Sequence, residues 1–158
     1  MRQRGFTLIE IIVVIFIISL VTTIILIRTG TLRTQRNISL FAETFYSYLQ
    51  VCQQQAILQP AVIGVMLERN TYQALYWVTD LEGGHWAPLS RADSFWAPRI
   101  IPQDIHLDIV SNSNPQIVID VSGGMNPVEI SIGYSGAAAS YRIISSAAGT
   151  LTLQGVPR

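Results

Sequence analysis

Lysine is absent from this sequence: all ten basic residues are arginine. A phosphate-cradling glycine-rich loop of the kind that requires a lysine is therefore excluded. A single cysteine, Cys52, leaves no partner for an internal disulfide, and with the two histidines, His85 and His106, it shows no metal-ligand spacing. Ten acidic residues balance the ten arginines, so the net charge is zero and no basic footprint for nucleic acid is visible. There is no Gly-x-Ser-x-Gly nucleophile elbow, no internal repeat and no low-complexity tract. The acids Glu82, Asp93 and Asp104 are scattered and read as solvated charges. Neither a cofactor nor a metal is expected.

What the chain has in abundance is apolar surface, with a mean hydropathy of +0.38, concentrated at its start. Residues 6–27 form one apolar run, interrupted only by Glu10 and a few hydroxyls. About 22 residues at about 1.5 Å each reach about 33 Å, enough to cross a hydrocarbon layer of about 30 Å. Its Ile and Val content disfavours a helix in water, but lipid leaves the backbone no other way to satisfy its polar groups. Ser19, Thr22 and Thr23 are tolerable because their hydroxyls can bond back to the preceding turn. A cleaved secretory signal has an apolar core of only about 7–15 residues and a small-x-small site; Ile27-Arg28-Thr29-Gly30 offers none. An ordinary signal anchor is the other rival. Against it stands Glu10, since an acid at the centre of a span costs about 2.5–3.5 kcal/mol on insertion scales and, even near its end, calls for a use. Arg2 and Arg4 precede the run while Arg28, Arg33 and Arg36 follow it, so the basic residues do not set its orientation.

The stretch Arg4-Gly5-Phe6-Thr7-Leu8-Ile9-Glu10, ahead of a long apolar run, resembles the processing motif of type IV prepilins. The resemblance implies a leader of residues 1–5 removed after Gly5 by a prepilin peptidase, and N-methylation of the new terminal residue, Phe6. It implies a transmembrane and assembly helix over 6–28, in the inner membrane with the leader cytoplasmic, and a periplasmic head over 29–158. Cleavage at Phe6 exposes a cationic amine. A carboxylate at Glu10 of a neighbouring subunit can neutralise it as helices bundle, offsetting the cost of two unpaired charges in low dielectric.

Within the head, Ile38, Phe41, Phe45, Tyr48 or Leu49, Cys52 and Ala56 recur at steps of three and four, one face of a helix that Pro60 ends at about 59. Gly30, between two threonines, is a candidate bend. The stripe reads as packing against a sheet, and Cys52 on it as a buried structural thiol, with an intermolecular bridge or reactive thiol as the alternative. From 61 to 158 the period becomes two. Strand-like runs fall at 61–68, 72–79, 105–110, 116–121, 128–132, 140–145 and 150–153, separated by Gly-, Pro- and Asn-rich turns. The fold class expected is α+β: one long helix, membrane-spanning first and amphipathic afterwards, packed on an antiparallel sheet. The stretch 80–103, with Gly83-Gly84, Trp86, Pro88, Trp96 and Pro98, reads as irregular and functional or mobile. Trp86 and Trp96 within it either fold back on the sheet as a lid or serve as partner contacts.

The head resembles that of the H-type minor pseudopilins of type II secretion. The features that carry this are Gln55-Ala56 before the helix end, the strand–Gly-turn–strand unit of 117–121, Gly123-Gly124 and 128–132, and a last hairpin with Tyr141 before it and Gly149 inside it. The segment Asp120-Val121-Ser122-Gly123-Gly124 departs from the Phe-x-Pro-x-Gly-like turn common in that family. Residues 151–158 lack the acids that a calcium-binding major pseudopilin would show. The resemblance implies a structural, non-catalytic subunit near the tip of a short filament that drives folded proteins across the outer membrane. Its implied partners are the minor pseudopilins of the I, J and K types, the major G-type subunit and secreted substrates. A minor type IV pilin is the alternative, and a membrane-anchored periplasmic enzyme using His85 or Asp93 is the reading from another class.

Overall fold

The computed structural model describes residues 8–81, 83–89, 95–111 and 113–157, with positions 24–35 described for their backbone only. The chain divides into two compact units, Met1–Asn37 and Ile38–Arg158. One helix, α1 (Leu8–Leu58), supplies 8–37 to the first and 38–58 to the second.

In the first unit the side chains from Leu8 to Thr23 are exposed all around the helix, the pattern of a helix whose natural surroundings are apolar. Ser19, Thr22 and Thr23 donate to the carbonyls of Ile15, Ile18 and Ser19 at 2.7–2.8 Å, so none of these three hydroxyls needs an outside partner. Among the described residues no helix is long and apolar enough to cross a membrane. The apolar side chains described there cover roughly 16 residues, about 24 Å, and the remainder of the run 6–27 lies outside the described side chains.

In the second unit α1 buries Ile38, Phe41, Ala42, Phe45, Tyr48, Leu49, Cys52 and Ala56, the face read from the three-and-four spacing. The helix ends at Leu58, two residues before Pro60, which cannot continue an α-helix without losing a backbone donor. Nine strands follow: β1 (Ile63–Leu67), β2 (Thr71–Asp80), β3 (Gly83–Pro88), β4 (Arg99–Ile100), β5 (Ile105–Ile109), β6 (Ile117–Ile119), β7 (Glu129–Tyr134), β8 (Ala139–Ser145) and β9 (Leu151–Gly155). They form two antiparallel sheets, not one. The first runs β3-β2-β1-β6 with β4 also on β2; the second runs β5-β7-β8-β9.

The stretch 80–103 is not irregular throughout. β3 pairs with β2 over Leu75↔Pro88 to Asp80↔Gly83, and β4 pairs Arg99 and Ile100 with Tyr72 and Thr71. Tertiary pairing overrode a local sequence of two glycines and a proline, which by propensity disfavours a strand.

The helix and both sheets share one core. Tyr72 on β2 lies at its centre, edge-on to Phe41, Phe45 and Tyr48 of the helix, with ring centroids 4.9–6.4 Å away. Such edge-to-face pairs add about 0.5–1.5 kcal/mol each beyond the area they bury. Ile117 and Ile119 of the first sheet and Ile130, Ile132 and Ile143 of the second close the same core. Ser145, buried, satisfies itself by donating to the Asn126 carbonyl at 2.8 Å and accepting from the Val128 amide at 2.9 Å.

Two turns are fastened to the helix by one side chain. The Gln53 amide nitrogen donates to the carbonyls of Gly123 and Gly149 at 3.0 and 2.7 Å. Gly149 has φ +80°, and a Cβ there would collide with the Gly123 carbonyl oxygen, so the close approach of the two turns requires glycine.

Candidate functional site

Glu10 lies in the first turn of α1, where a carboxylate interacts favourably with the positive end of the helix dipole. Its helical neighbours Ile11, Val14 and Ile15 are exposed with it. Gly5 and Phe6, with which the sequence associates it, lie outside the described residues.

The two tryptophans of the 80–103 stretch are not brought together. Trp86 sits on β3, on the face of the first sheet turned away from α1. There its ring meets Trp77 edge-on at 5.1 Å and lies over Gly64 beside Pro115. Trp96 lies at the helix face, edge-on to Tyr48 at 6.1 Å and to Phe95 at 5.1 Å. Both are half-buried. The aromatics that present more surface are their neighbours, Trp77 at 41 % and Phe95 at 45 % exposure. Sequence reading passed over both, since one lies inside a strand run and the other beside a more conspicuous tryptophan.

Around Trp96 the chain is strapped to the helix by a cation. The Arg99 guanidinium lies 4.2 Å from the Phe95 ring centre and 5.1 Å from that of Tyr48, and it donates to the Phe95 carbonyl at 3.3 Å. With Leu40, Glu43, Thr44, Ser47 and Val51 these residues line a shallow groove along α1. Burial raises the phenol pKa of both Tyr48 and Tyr72 above their usual value, so neither is an acid–base group at ordinary pH. Burial likewise pushes the Cys52 thiol up to about 12, which makes it an inert core residue.

The histidines and acids do not assemble a reaction centre among the described residues. His85 Nδ1 lies 3.2 Å from Asp80 Oδ2, both well exposed near the β2–β3 turn. His106 and Asp104 lie apart from them, at and before β5, and Glu82 and Asp93 lie outside the described residues. No group of three His, Cys, Asp or Glu side chains gathers among the described residues. Asp120, by contrast, has a clear local task. It accepts from the Ser122 hydroxyl and amide and from the Gly124 amide, bonds that lower its pKa and shape the turn in place of the Phe-x-Pro-x-Gly-like pattern.

A long N-terminal helix that is apolar at its start, joined to antiparallel sheets packed on its second half, defines a pilin-like α+β subunit. The prokaryotic N-terminal methylation motif matches residues 1–26, and the family described as type II transport protein GspH matches residues 42–149. Type II secretion system protein H of Pseudomonas aeruginosa is 30% identical over 149 residues, covering 85% of each chain. Solved structures share the fold. The minor pseudopilin EpsH from the type 2 secretion system of Vibrio cholerae superposes with a TM-score of 0.61 at 23% identity, over 74% of this chain and 95% of that one. E. coli GspH in solution gives 0.58 at 17%, over 72% and 84%. The chain belongs to the GspH family, the H-type minor pseudopilins of type II secretion. It is thus a pseudopilus component of a family of structural subunits, and it carries a membrane-anchoring N-terminal methylation motif.

Proposed function

We propose that this minor pseudopilin is made as a precursor and cut by a prepilin peptidase between Gly5 and Phe6, and that Phe6 is then N-methylated. Residues 6–28 store the subunit in the inner membrane as a single span, with the head of 29–158, including the β-sheet region 61–158, in the periplasm. On assembly the helix leaves lipid for a bundle of homologous helices, and Glu10 meets the Phe6 amine of a neighbouring subunit. The head sits near the filament tip with minor pseudopilins of the I, J and K types, above the major G-type subunit. It acts without catalysis, and Trp86 and Trp96, with the exposed Trp77 and Phe95, contribute partner contacts.

The observation that carries this reading is Glu10 in the first turn of a helix whose apolar side chains from Leu8 to Thr23 are exposed on every side. Such a surface must be covered by lipid or by other helices. A carboxylate among them is stable in an apolar bundle only beside a cation, and a freshly cut N-terminus supplies one. The test is deletion of the gene in a host that carries both a secretion pseudopilus and type IV pili. Loss of folded-protein secretion with pili intact is expected; loss of pili with secretion intact would overturn the assignment.

A further inference from the structure

The face of the first sheet turned away from α1 holds a small apolar cluster of its own. By strand alternation, Leu75 and Trp77 of β2 share that face with Trp86 of β3, which opposes Trp77, and with Gly64 of β1, which opposes Leu75. Leu75 is only 5 % exposed, yet it takes no part in the core closed by the helix. Both indoles lie over strand glycines. A Cβ on Gly84 would enter the Trp77 ring, and one on Gly64 would meet both the Trp86 ring and that of Pro115. Glycine inside a strand weakens it and often marks a close approach; here it lets an aromatic ring lie down on the sheet.

The two rings differ in what accompanies them. Trp86 has the buried Pro115 beside it over the same glycine, so the chain itself supplies this indole with a proline ring. Trp77 meets the Trp86 ring edge-on at 5.1 Å and is left 41 % exposed. Phe95 is slightly more exposed, but the Arg99 guanidinium already covers its ring at 4.2 Å. Among the described residues, neither the Trp77 nor the Trp86 indole N–H donates to a protein group. The other strand residues of this face, Met66 on β1, Gln73 and Thr79 on β2 and Val118 on β6, carry no charge.

From this we infer that Trp77 and Trp86 receive a proline-rich segment of a partner protein, one proline ring seated on the open Trp77 indole as Pro115 lies beside Trp86. A polyproline II segment offers apolar rings and carbonyl acceptors and brings no amide donors. That is the complement of a face with open ring surface, unused N–H donors and no charge. An added β-strand has no place here, because β2 is already hydrogen-bonded on both sides, to β1 and to β3. A saccharide, which also stacks on indoles, needs acceptors for its many hydroxyl donors, and the strand residues of this face include no carboxylate. The inference deepens the partner-contact role proposed above for these tryptophans and rests on it.

The indole N–H signals of the isotope-labelled full chain in detergent micelles test it, with decaproline as probe. The Trp77 and Trp86 signals are expected to shift in a saturable way, while that of Trp96, at the helix face, stays. A glycine–serine peptide of equal length and maltotetraose are expected to move none of them. Trp77→Ala is expected to weaken decaproline binding about tenfold or more, read at the Trp86 signal, as truncation of an aromatic anchor does. If that variant does not fold, the comparison of probes on the parent decides. No shift with decaproline, an equal shift at Trp96, or an equal response to either control would each overturn the inference. So would parent-level affinity in folded Trp77→Ala. Secretion by cells carrying folded Trp77→Ala separates the two readings. Secretion lost without any decaproline response overturns the proline inference alone; secretion at the parent level removes the contact reading and this inference with it.

Discussion

Replacing Gln53 by alanine removes the one side chain that ties two distant turns to the helix. The Gln53 amide nitrogen donates at 3.0 Å to Gly123, 70 residues on, and at 2.7 Å to Gly149, 96 residues on. A typical intramolecular hydrogen bond contributes about 0.5–1.5 kcal/mol net, so the two together stabilise by about 2 kcal/mol. Two effects moderate this. The site is half-buried, so water can replace part of what is lost, and truncation restores side-chain freedom that folding had frozen. The expected cost is therefore about 1–2 kcal/mol. Urea unfolding of a fragment covering 38–158, the compact unit of the head, measures it. With a urea slope of about 1–3 kcal/mol per molar, the midpoint falls by roughly 1 M. Gln54→Ala, at the exposed neighbouring position, is the control and should stay within about 0.5 kcal/mol of the parent. If Gln53→Ala costs no more than Gln54→Ala, the two-turn clamp contributes nothing and the reasoning fails.

Gly64→Ala would push a Cβ into Pro115 and the Trp86 ring; an overpacking cost of about 1–3 kcal/mol and an altered tryptophan emission are expected, both readable in the same unfolding experiment. Arg99→Ala removes the cation held over Phe95 and Tyr48 and should cost about 1 kcal/mol, with faster proteolysis at Phe95 and Trp96 as its signature. Cys52 should resist thiol reagents in the folded head and react at once in urea. Its pH dependence has a definite sign. The thiol titrates from a usual value of 9.0, and burial pushes it up to about 12 in the fold. The unfolded chain therefore gives up its proton first, so this contribution to stability is complete below about pH 9 and is lost as pH rises to about 12, by about 1.4 kcal/mol per pH unit. Alkaline unfolding of the parent and of Cys52→Ala, compared by circular dichroism, checks this; a variant that loses stability just as steeply between pH 9 and 10 would contradict it.

The helix face was legible because burial and the helical period coincide: Phe41, Phe45, Leu49, Cys52 and Ala56 are spaced three or four apart and all turn inward. Alternation likewise exposed Ile117 and Ile119, and Ile130 and Ile132, as inward pairs of two strands. Alternation says nothing about which strand pairs with which, so the division into two sheets, with β6 joining β1 and β5 joining β7, could not be read. β3 was missed because its order comes from β2 and from Trp77 against Trp86, contacts made across a turn and not written in local propensity. Gln53 gave no signal either: a half-exposed glutamine on a helix is ordinary until the turns it reaches are known. The leader is the reverse case. Gly5, Phe6 and Glu10 are legible in the sequence by type and spacing, whereas the described structure begins only at Leu8 and carries Glu10 alone of the three.

Glu10 is proposed as one half of an intermolecular pair whose other half, the Phe6 amine, forms only when the leader is cut. Glu10→Ala measured for both processing and assembly tests it most directly. Mass spectrometry of the membrane fraction should find the variant cut before Phe6 and methylated at the parent level. Quantitative detection in purified pseudopili should find it essentially missing, whereas the parent is present. A Glu10→Ala chain that enters the filament as well as the parent would contradict the account.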